Sequence, residues 1–121
     1  MEVRPARPAE LPTVMGVLDG ALLAVEAEAV EKRIRADRVL VAVESDRILG
    51  ACVLVDNEID AIAVRRKRRG QGIGTRLVES ATESIEGELL AAFDERVRPF
   101  YESLDFMVEP ATESGRFRGR R

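Results

Sequence analysis

The chain has 121 residues and a mass of 13.4 kDa, so one domain over residues 1–121 is expected, large enough to bury a core without disulfide staples. Hydrophobic residues make up 45% and charged residues 34%, a soluble globular composition, and a net charge of −3 argues against a general nucleic-acid binder. With no histidine and one cysteine, Cys52, the chain can build no Ser-His-Asp or Cys-His site, no Cys/His zinc site and no intrachain disulfide.

The opening MEVRPARPAE has no apolar stretch of signal-peptide type, which points to the cytoplasm, and residues 1–5 read as a short strand. Residues 8–23 read as a helix with Leu11, Val14, Met15, Leu18 and Leu22 on one face. Pro12 is tolerated near its first turn; Gly16 and Gly20 weaken it. Residues 26–37 read as a second helix, solvated apart from Ala27, Val30 and Ile34. Strands over 39–44, 48–55 and 58–65 follow, with turns at Ser45-Asp46-Arg47 and Asp56-Asn57. Connections this short argue for an antiparallel meander. Its longest apolar runs, 39–43 and 51–55, are far too short to span a membrane. In the third strand, Ile62 and Val64 point to one face.

A helix over 72–86 places Ile73, Leu77, Val78, Ala81 and Ile85 at a 3.6-residue period, with Gly87 as its C-terminal cap. Residues 88–93 are mostly apolar and read as a central strand. Strand, helix and strand at this spacing imply a parallel pair with a right-handed crossover. A short helix over 96–104 carries Val97, Phe100, Tyr101 and Leu104 on one face, and 106–109 and 115–120 are closing strands. The sum is an α/β (α+β) fold: a mixed, mostly antiparallel sheet of six to seven strands, flanked on both faces by about four helices.

The chemistry concentrates in RRKRRGQGIGT, residues 65–75, which joins a strand to a helix. Glycines let backbone N–H groups approach a ligand, and the helix start adds free donors and a positive dipole end, so the segment forms an anion site. Five cations immediately upstream add charge. The P-loop pattern fails because no Gly-Lys pair exists. The dinucleotide pattern G-x-G-x-x-G fails because its third glycine would fall at Thr75 or Leu77. Without a ligand, the same segment reads as a solvated turn and a close helix–strand contact.

At these residues the chain resembles the GNAT superfamily of N-acetyltransferases. The family's acetyl-CoA motif is Gln or Arg, two residues, Gly, one residue, then Gly or Ala. Here it reads Arg69-Gly70-Gln71-Gly72-Ile73-Gly74, after the lead-in strand EIDAIAV (58–64). VRPARPAELPTVMGVL (3–18) is similar to the family's first strand and helix, and DERVRPFYESLDF (94–106) to its later N-x-x-A-x-x-F-Y-E-x-x-G-F pattern. Asp94, Val97 and Asp105 depart from the Asn, Ala and Gly of that pattern. Where that glycine takes φ > 0, aspartate is one of the few residues that tolerates it. The chain is short for the family in its first helices and closing strands, which shape the acceptor pocket.

The resemblance implies acetyl-CoA as co-substrate and no metal. It places the pyrophosphate on the backbone N–H groups of Gly70, Gln71, Gly72, Ile73, Gly74 and Thr75, with Arg69 beside them. The pantetheine arm then lies along Ile62, Ala63 and Val64 like an added strand, where a backbone N–H polarises the thioester carbonyl. Direct transfer in a ternary complex needs mainly positioning, which suits a chain without a His or Cys nucleophile. The resemblance makes Tyr101 the general acid; taken alone, Tyr101 reads as packing with Phe100. A phenol near pKa 10 gives its proton to a thiolate slightly uphill, so placement beside the sulfur has to help.

The implied base is a carboxylate on residues 58–64. Glu58 is the first candidate and Asp60 the second, two apart and so on one face; as isolated residues both read as solvated edge charges. Cys52 reads as a small core residue, and GRFRGRR (115–121) as a strand with an exposed cationic face. The implied acceptor is a small-molecule amine or a protein amine; no nucleic-acid or membrane partner is expected, and pairing as a homodimer, common in the family, is left open. The rival readings are a non-catalytic CoA or acyl-CoA sensor and an interaction module with a vestigial loop.

Overall fold

Turn chemistry sets the frame of the sheet. Ser45 and Asp46 both take φ > 0, at 51° and 63°, and close the two-residue hairpin between β2 (Val39–Glu44) and β3 (Arg47–Val55), as a right-twisted hairpin favours. Asp56, at φ 55°, turns β3 into β4 (Glu58–Val64). The remaining strands are β1 (Glu2–Pro5), β5 (Leu90–Asp94), β6 (Met107–Pro110) and β7 (Arg116–Arg120). The computed structural model describes residues 1–20 and 25–121, and across these the strands form one sheet in the order β1-β2-β3-β4-β5-β7-β6. Every pairing is antiparallel except β4 with β5. This is the mixed, mostly antiparallel architecture that the residues predict.

Helices α1 (Leu11–Gly20) and α2 (Ala27–Arg35) cover one face, and α3 (Ile73–Ser84) and α4 (Arg98–Ser103) the other. On α3, Ile73, Leu77, Val78 and Ala81 are buried, each larger side chain adding about 2 kcal/mol. On α2 only Val30 and Ile34 are buried; Ala27 is exposed.

Several boundaries differ from the expected ones. A 3-10 turn at Pro8–Glu10 precedes α1, which puts Pro12 in the first α-turn, where its missing N–H costs nothing. Leu22, assigned to that helix face, and the end of that helix lie outside the described residues. Gly87 is not the cap of α3. The helix ends at Ser84, Ile85 is extended, and Gly87 takes φ 80° two residues later, in the bend into β5. Val97 leaves its expected apolar face, because Glu95–Val97 is a 3-10 turn that rotates it outward to 44% exposure. β5 is central in order, but only Ala91 and Phe93 are buried while Leu90 and Ala92 are exposed; its other face is uncovered.

Two bulges decide where the site forms. In β3, Gly50 pairs with Ala42 and Ile48 with Val43, so Leu49 is the extra residue. Gly50 then faces α3. A Cβ there would lie 2.9 Å from the Ala63 carbonyl and 3.1 Å from Leu77 Cδ1, so glycine permits the close approach of the helix. In β4, Ala61 pairs with Val53 and Ile59 with Leu54, which makes Asp60 the extra residue. The bulge switches the phase of the strand: Ile59 packs on the α3 side and Ala61 on the α1/α2 side. The parallel ladder ends at the same point. Glu58 pairs with Leu90 and Ile59 with Ala91, and among the described residues no pair follows, so β4 and β5 part at Asp60.

Candidate active site

The segment after β4 is pinned before it turns. The Arg65 N–H donates to the Leu49 carbonyl at 2.8 Å and Arg65 Nε to the Ile48 carbonyl at 2.7 Å. Residues Arg66–Arg68 make one 3-10 turn. Arg68 bridges outward, with Nε on Gln71 Oε1 at 2.8 Å and Nη2 on Glu44 Oε1 at 3.0 Å. Arg69 folds back, its Nε donating to the Val64 carbonyl at 3.0 Å.

Gly70 and Gly72 take φ 77° and 82°, with open space where a Cβ would stand. Their need for glycine is therefore conformational, and the ground in front of them is clear. Gly72 is the N-cap of α3 and has no side chain to cap it, so the N–H groups of Ile73, Gly74 and Thr75 have no acceptor within the helix. With the dipole of a twelve-residue helix behind them, these donors favour an anion. Gly74 is glycine for another reason: a Cβ would stand 3.1 Å from Phe100 Cε1, so α3 starts against α4.

Below the turn lies the opening between β4 and β5. Arg65 N–H bonds to β3, and backbone groups alternate sides along a strand. Those of Ala63 therefore face β3, and those of Ile62 and Val64 face the opening. Arg69 occupies the Val64 carbonyl; the Ile62 N–H and C=O and the Val64 N–H have no partner among the described residues. This is an edge to which an extended ligand can add as a strand.

Tyr101 lies on the α3/α4 side, 5% exposed, stacked on Phe93 and edge-on to Phe100 and Phe106. Burial, and secondly the nearby Cys52, push its phenol up to about 12. Burial also pushes the Cys52 thiol up to about 12, the behaviour of an unreactive core thiol. Among the described residues the Tyr101 hydroxyl has no hydrogen-bond partner, and it is not among the buried atoms sealed from solvent.

Glu58 and Asp60 are both exposed. Asp60 lines a shallow cavity with Glu26, Val30, Arg33 and Val53 on the α1/α2 side. Glu58 alternates with Ile59 and faces the same way. Tyr101 and the two carboxylates thus stand on opposite faces of the sheet, connected by the opening between β4 and β5. Among the described residues no group of three or more acidic or cysteine side chains is placed to hold a metal ion.

One component escapes the linear sequence. A cavity of about 370 Å³ beside the glycine turn is lined by Arg47 together with Leu49 and residues 65–68. Arg47 arrives through the β2–β3 hairpin, and no spacing in the sequence announces it.

Residues 35–108 match the family model of the acetyltransferase (GNAT) domain. No curated protein sequence matches the chain. Among solved structures it is similar to the PaiA N-acetyltransferase of Thermoplasma acidophilum in complex with coenzyme A, at 17% identity and TM-score 0.81, over 99% of this chain and 97% of that one. It is also similar to YncA of Salmonella typhimurium, a putative acetyltransferase with acetyl-CoA, at 15% identity and TM-score 0.78, over 99% and 91%. A GCN5-related N-acetyltransferase of Kribbella flavida aligns at 15% identity and TM-score 0.74; 88% of this chain spans 33% of that one.

Proposed function

The chain belongs to the GNAT acetyltransferase family, and from that premise we propose that residues 1–121 act as an N-acetyltransferase domain, moving an acetyl group from acetyl-CoA to a primary amine by direct transfer. The observation that carries this is the continuity of two features. The start of α3, with its free N–H groups, stands beside the unpaired backbone edge of Ile62 and Val64: a Cβ on Gly74 would lie 3.9 Å from Val64 Cγ2. Together they suit a ligand with an anionic end and an extended amide arm.

The two glycines with open space before them fit a pyrophosphate. On this reading it is held by the N–H groups of Gly70 to Thr75 and by Arg69, while the free edges of Ile62 and Val64 align the arm; Ala63, expected to join them, has its backbone groups turned to β3 and only spaces the two. Bound there, acetyl-CoA supplies the activated acetyl thioester. A free backbone N–H of Ile62 or Val64 stabilises charge on the carbonyl oxygen. Tyr101 holds its proton at Oη for the departing sulfur. Its raised pKa keeps it protonated throughout the working range and steepens the transfer, so contact with the sulfur is required. Glu58, or Asp60 after it, takes the proton of the amine, directly or through a water. The amine then enters from the α1/α2 side, and the sulfur leaves on the Tyr101 side. We assign the acceptor to small-molecule or protein amines and the compartment to the cytoplasm; among the described residues no helix is long and apolar enough to cross a membrane.

Thermal unfolding with acetyl-CoA, CoA and ATP tests the ligand. At a hundred times its dissociation constant a ligand adds about 2.7 kcal/mol, which raises the midpoint of a domain this size by several degrees. A shift with the two CoA species and none with ATP is expected, and no shift with any of them overturns the reading. Turnover with a panel of amines separates the enzyme from a CoA-binding sensor.

A further inference from the structure

Resting on the N-acetyltransferase reading above, we infer that the acceptor is a free amino acid, a small amine that also carries a carboxylate, and that Arg33 selects it by binding that carboxylate. The site is the cavity of about 230 Å³ on the α1/α2 side. Its charged lining is Glu26, Arg33 and Asp60, and Val25, Val30 and Val53 are among its apolar walls. Both candidate bases border it. Asp60 lines it, and Glu58 pairs in register with Val55, a further wall residue. The proton acceptors for the amine thus stand on the β4 wall, and Arg33 stands on the α2 wall. The volume lies below the roughly 300 Å³ at which sites for drug-sized ligands begin, which suits a guest of amino-acid size.

Arg33 differs from the other cations of α2. Lys32 and Arg35 are exposed, and Arg35 pairs with Glu31 at 3.5 Å. Arg33 is half-buried, with neither an ion-pair nor a side-chain hydrogen-bond partner among the described residues. Residues 21–24, which precede the cavity in the chain, read Ala-Leu-Leu-Ala and hold no acidic side chain. A guanidinium drawn partly out of water gains most from an acceptor that matches its planar fork, and a carboxylate does so with two parallel bonds. The valine walls keep water thin around that pair and strengthen it. Glu26 and Asp60 share the cavity without pairing with Arg33, so they remain for the ammonium form of the incoming amine. An amine without a carboxylate leaves Arg33 without its anion. The terminal amine of a polypeptide does the same, because an amide stands where the amino acid has its carboxylate.

Steady-state acetylation of leucine, methionine, threonine and 5-aminopentanoate, each beside its own carboxamide, decides the matter with the full chain and acetyl-CoA. The two members of a pair share a carbon skeleton and differ in the charge offered to Arg33. For the amino acids, Arg33→Gln should lower kcat/KM by about ten- to a hundred-fold, chiefly through KM, and Arg33→Lys should restore part of the loss. For the carboxamides the change should stay within about three-fold. Comparing wild type with variant on each compound cancels the differences in amine basicity. Acetyl-CoA affinity, read by titration, should be the same in all three proteins. Equal losses on amino acids and carboxamides would make Arg33 a structural support and overturn the inference. No loss on the amino acids, or a wild type that acetylates the carboxamides alone, overturns it too. Each of these outcomes leaves the N-acetyltransferase reading standing, because an amine has been acetylated. Acetylation of none of the compounds overturns the inference, and the wider panel of amines then separates an enzyme from a CoA-binding sensor.

Discussion

The Tyr101 ring lies against the Phe93 ring with centroids 4.3 Å apart and planes 15° from parallel. Phe93 is on β5 and Tyr101 on α4, so the stack ties the candidate acid to one strand of the opening. The ring packs in the core and the hydroxyl has no partner among the described residues. Both readings of this residue, core aromatic and proton donor, are therefore served by different atoms of it.

Tyr101→Phe keeps the ring and removes the proton. We expect stability at pH 7 to change by no more than about 0.5 kcal/mol and kcat to fall by about 10²-fold, with the acetyl-CoA affinity unchanged. Wild-type turnover in this variant would remove Tyr101 from the mechanism. The same substitution should alter the alkaline limb of stability. The folded-state pKa is raised from 10 to about 12 by burial, so below pH 10 the phenol is neutral in both the folded and the unfolded chain and costs nothing. As pH rises from 10 through 12 the unfolded chain ionises first, and stability falls by about 2–3 kcal/mol for a shift of this size. Urea unfolding between pH 9 and 12 should show a shallower decline in Tyr101→Phe. Cys52, raised from 9 to about 12, keeps its part of the decline in both proteins.

Glu58→Gln and Asp60→Asn separate the two candidate bases. Glu58 stands one rung before the last closed pair of the β4–β5 ladder, Ile59 with Ala91, and Asp60 at the bulge where the ladder opens. Glu58→Gln should lower kcat by about 10²-fold or more, and Asp60→Asn by less than about ten-fold. Neither should change acetyl-CoA affinity. The opposite order of effects in steady-state kinetics would make Asp60 the base.

Gly72→Glu tests the anion site by charge. Gly72 has φ 82° and free space before it, so any side chain there carries the same left-handed strain, about 1–2 kcal/mol. Gly72→Gln shares that strain and the bulk without the charge. Both should weaken CoA binding, and the Glu variant should be weaker than the Gln variant by about ten-fold. Equal affinities in the two variants, read by titration, would detach the anion from the start of α3.

Much of this arrangement is legible in the residues. Hydrophobic period finds α3, and the turn residues Ser45-Asp46 and Asp56 delimit β2, β3 and β4 within a residue. Asp105 takes φ 64°, as its place in the pattern suggests. What stays hidden depends on pairing register. The bulge at Asp60 is invisible in EIDAIAV, because an alternating strand and a bulged one have the same composition. Yet that bulge parts β4 from β5 and frees the backbone edge. The arrival of Arg47 beside residues 65–68 is hidden for the same reason, since it depends on which residue of β3 faces the end of β4.

Gly50→Ala probes the second bulge. The added Cβ would press on the Ala63 carbonyl at 2.9 Å, a backbone atom that cannot swing away, and on Leu77 Cδ1 at 3.1 Å. Overpacking of this kind costs about 1–3 kcal/mol, which lowers the melting midpoint by several degrees. Calorimetry should find this loss. A variant as stable as the wild type would show that α3 can retreat from β3 without cost.

Glu10 ties β1 to the start of α1. Its carboxylate accepts from both terminal nitrogens of Arg4, at 2.9 and 2.7 Å, and from the Arg7 N–H at 2.8 Å. The bond from Arg4 is the largest cause that holds the carboxyl down at about 2, from 4.5. A depressed folded-state pKa contributes stability that is complete above about pH 4.5 and is lost as pH falls toward 2. The two side chains are 18% and 21% exposed, so solvent screening trims the effect. Glu10→Gln should therefore cost about 1–2 kcal/mol at pH 7 and nearly nothing at pH 2, measured by urea unfolding at both. An equal cost at the two pH values would assign the stabilisation to the shape of the hydrogen-bonded turn and not to the charge on Glu10.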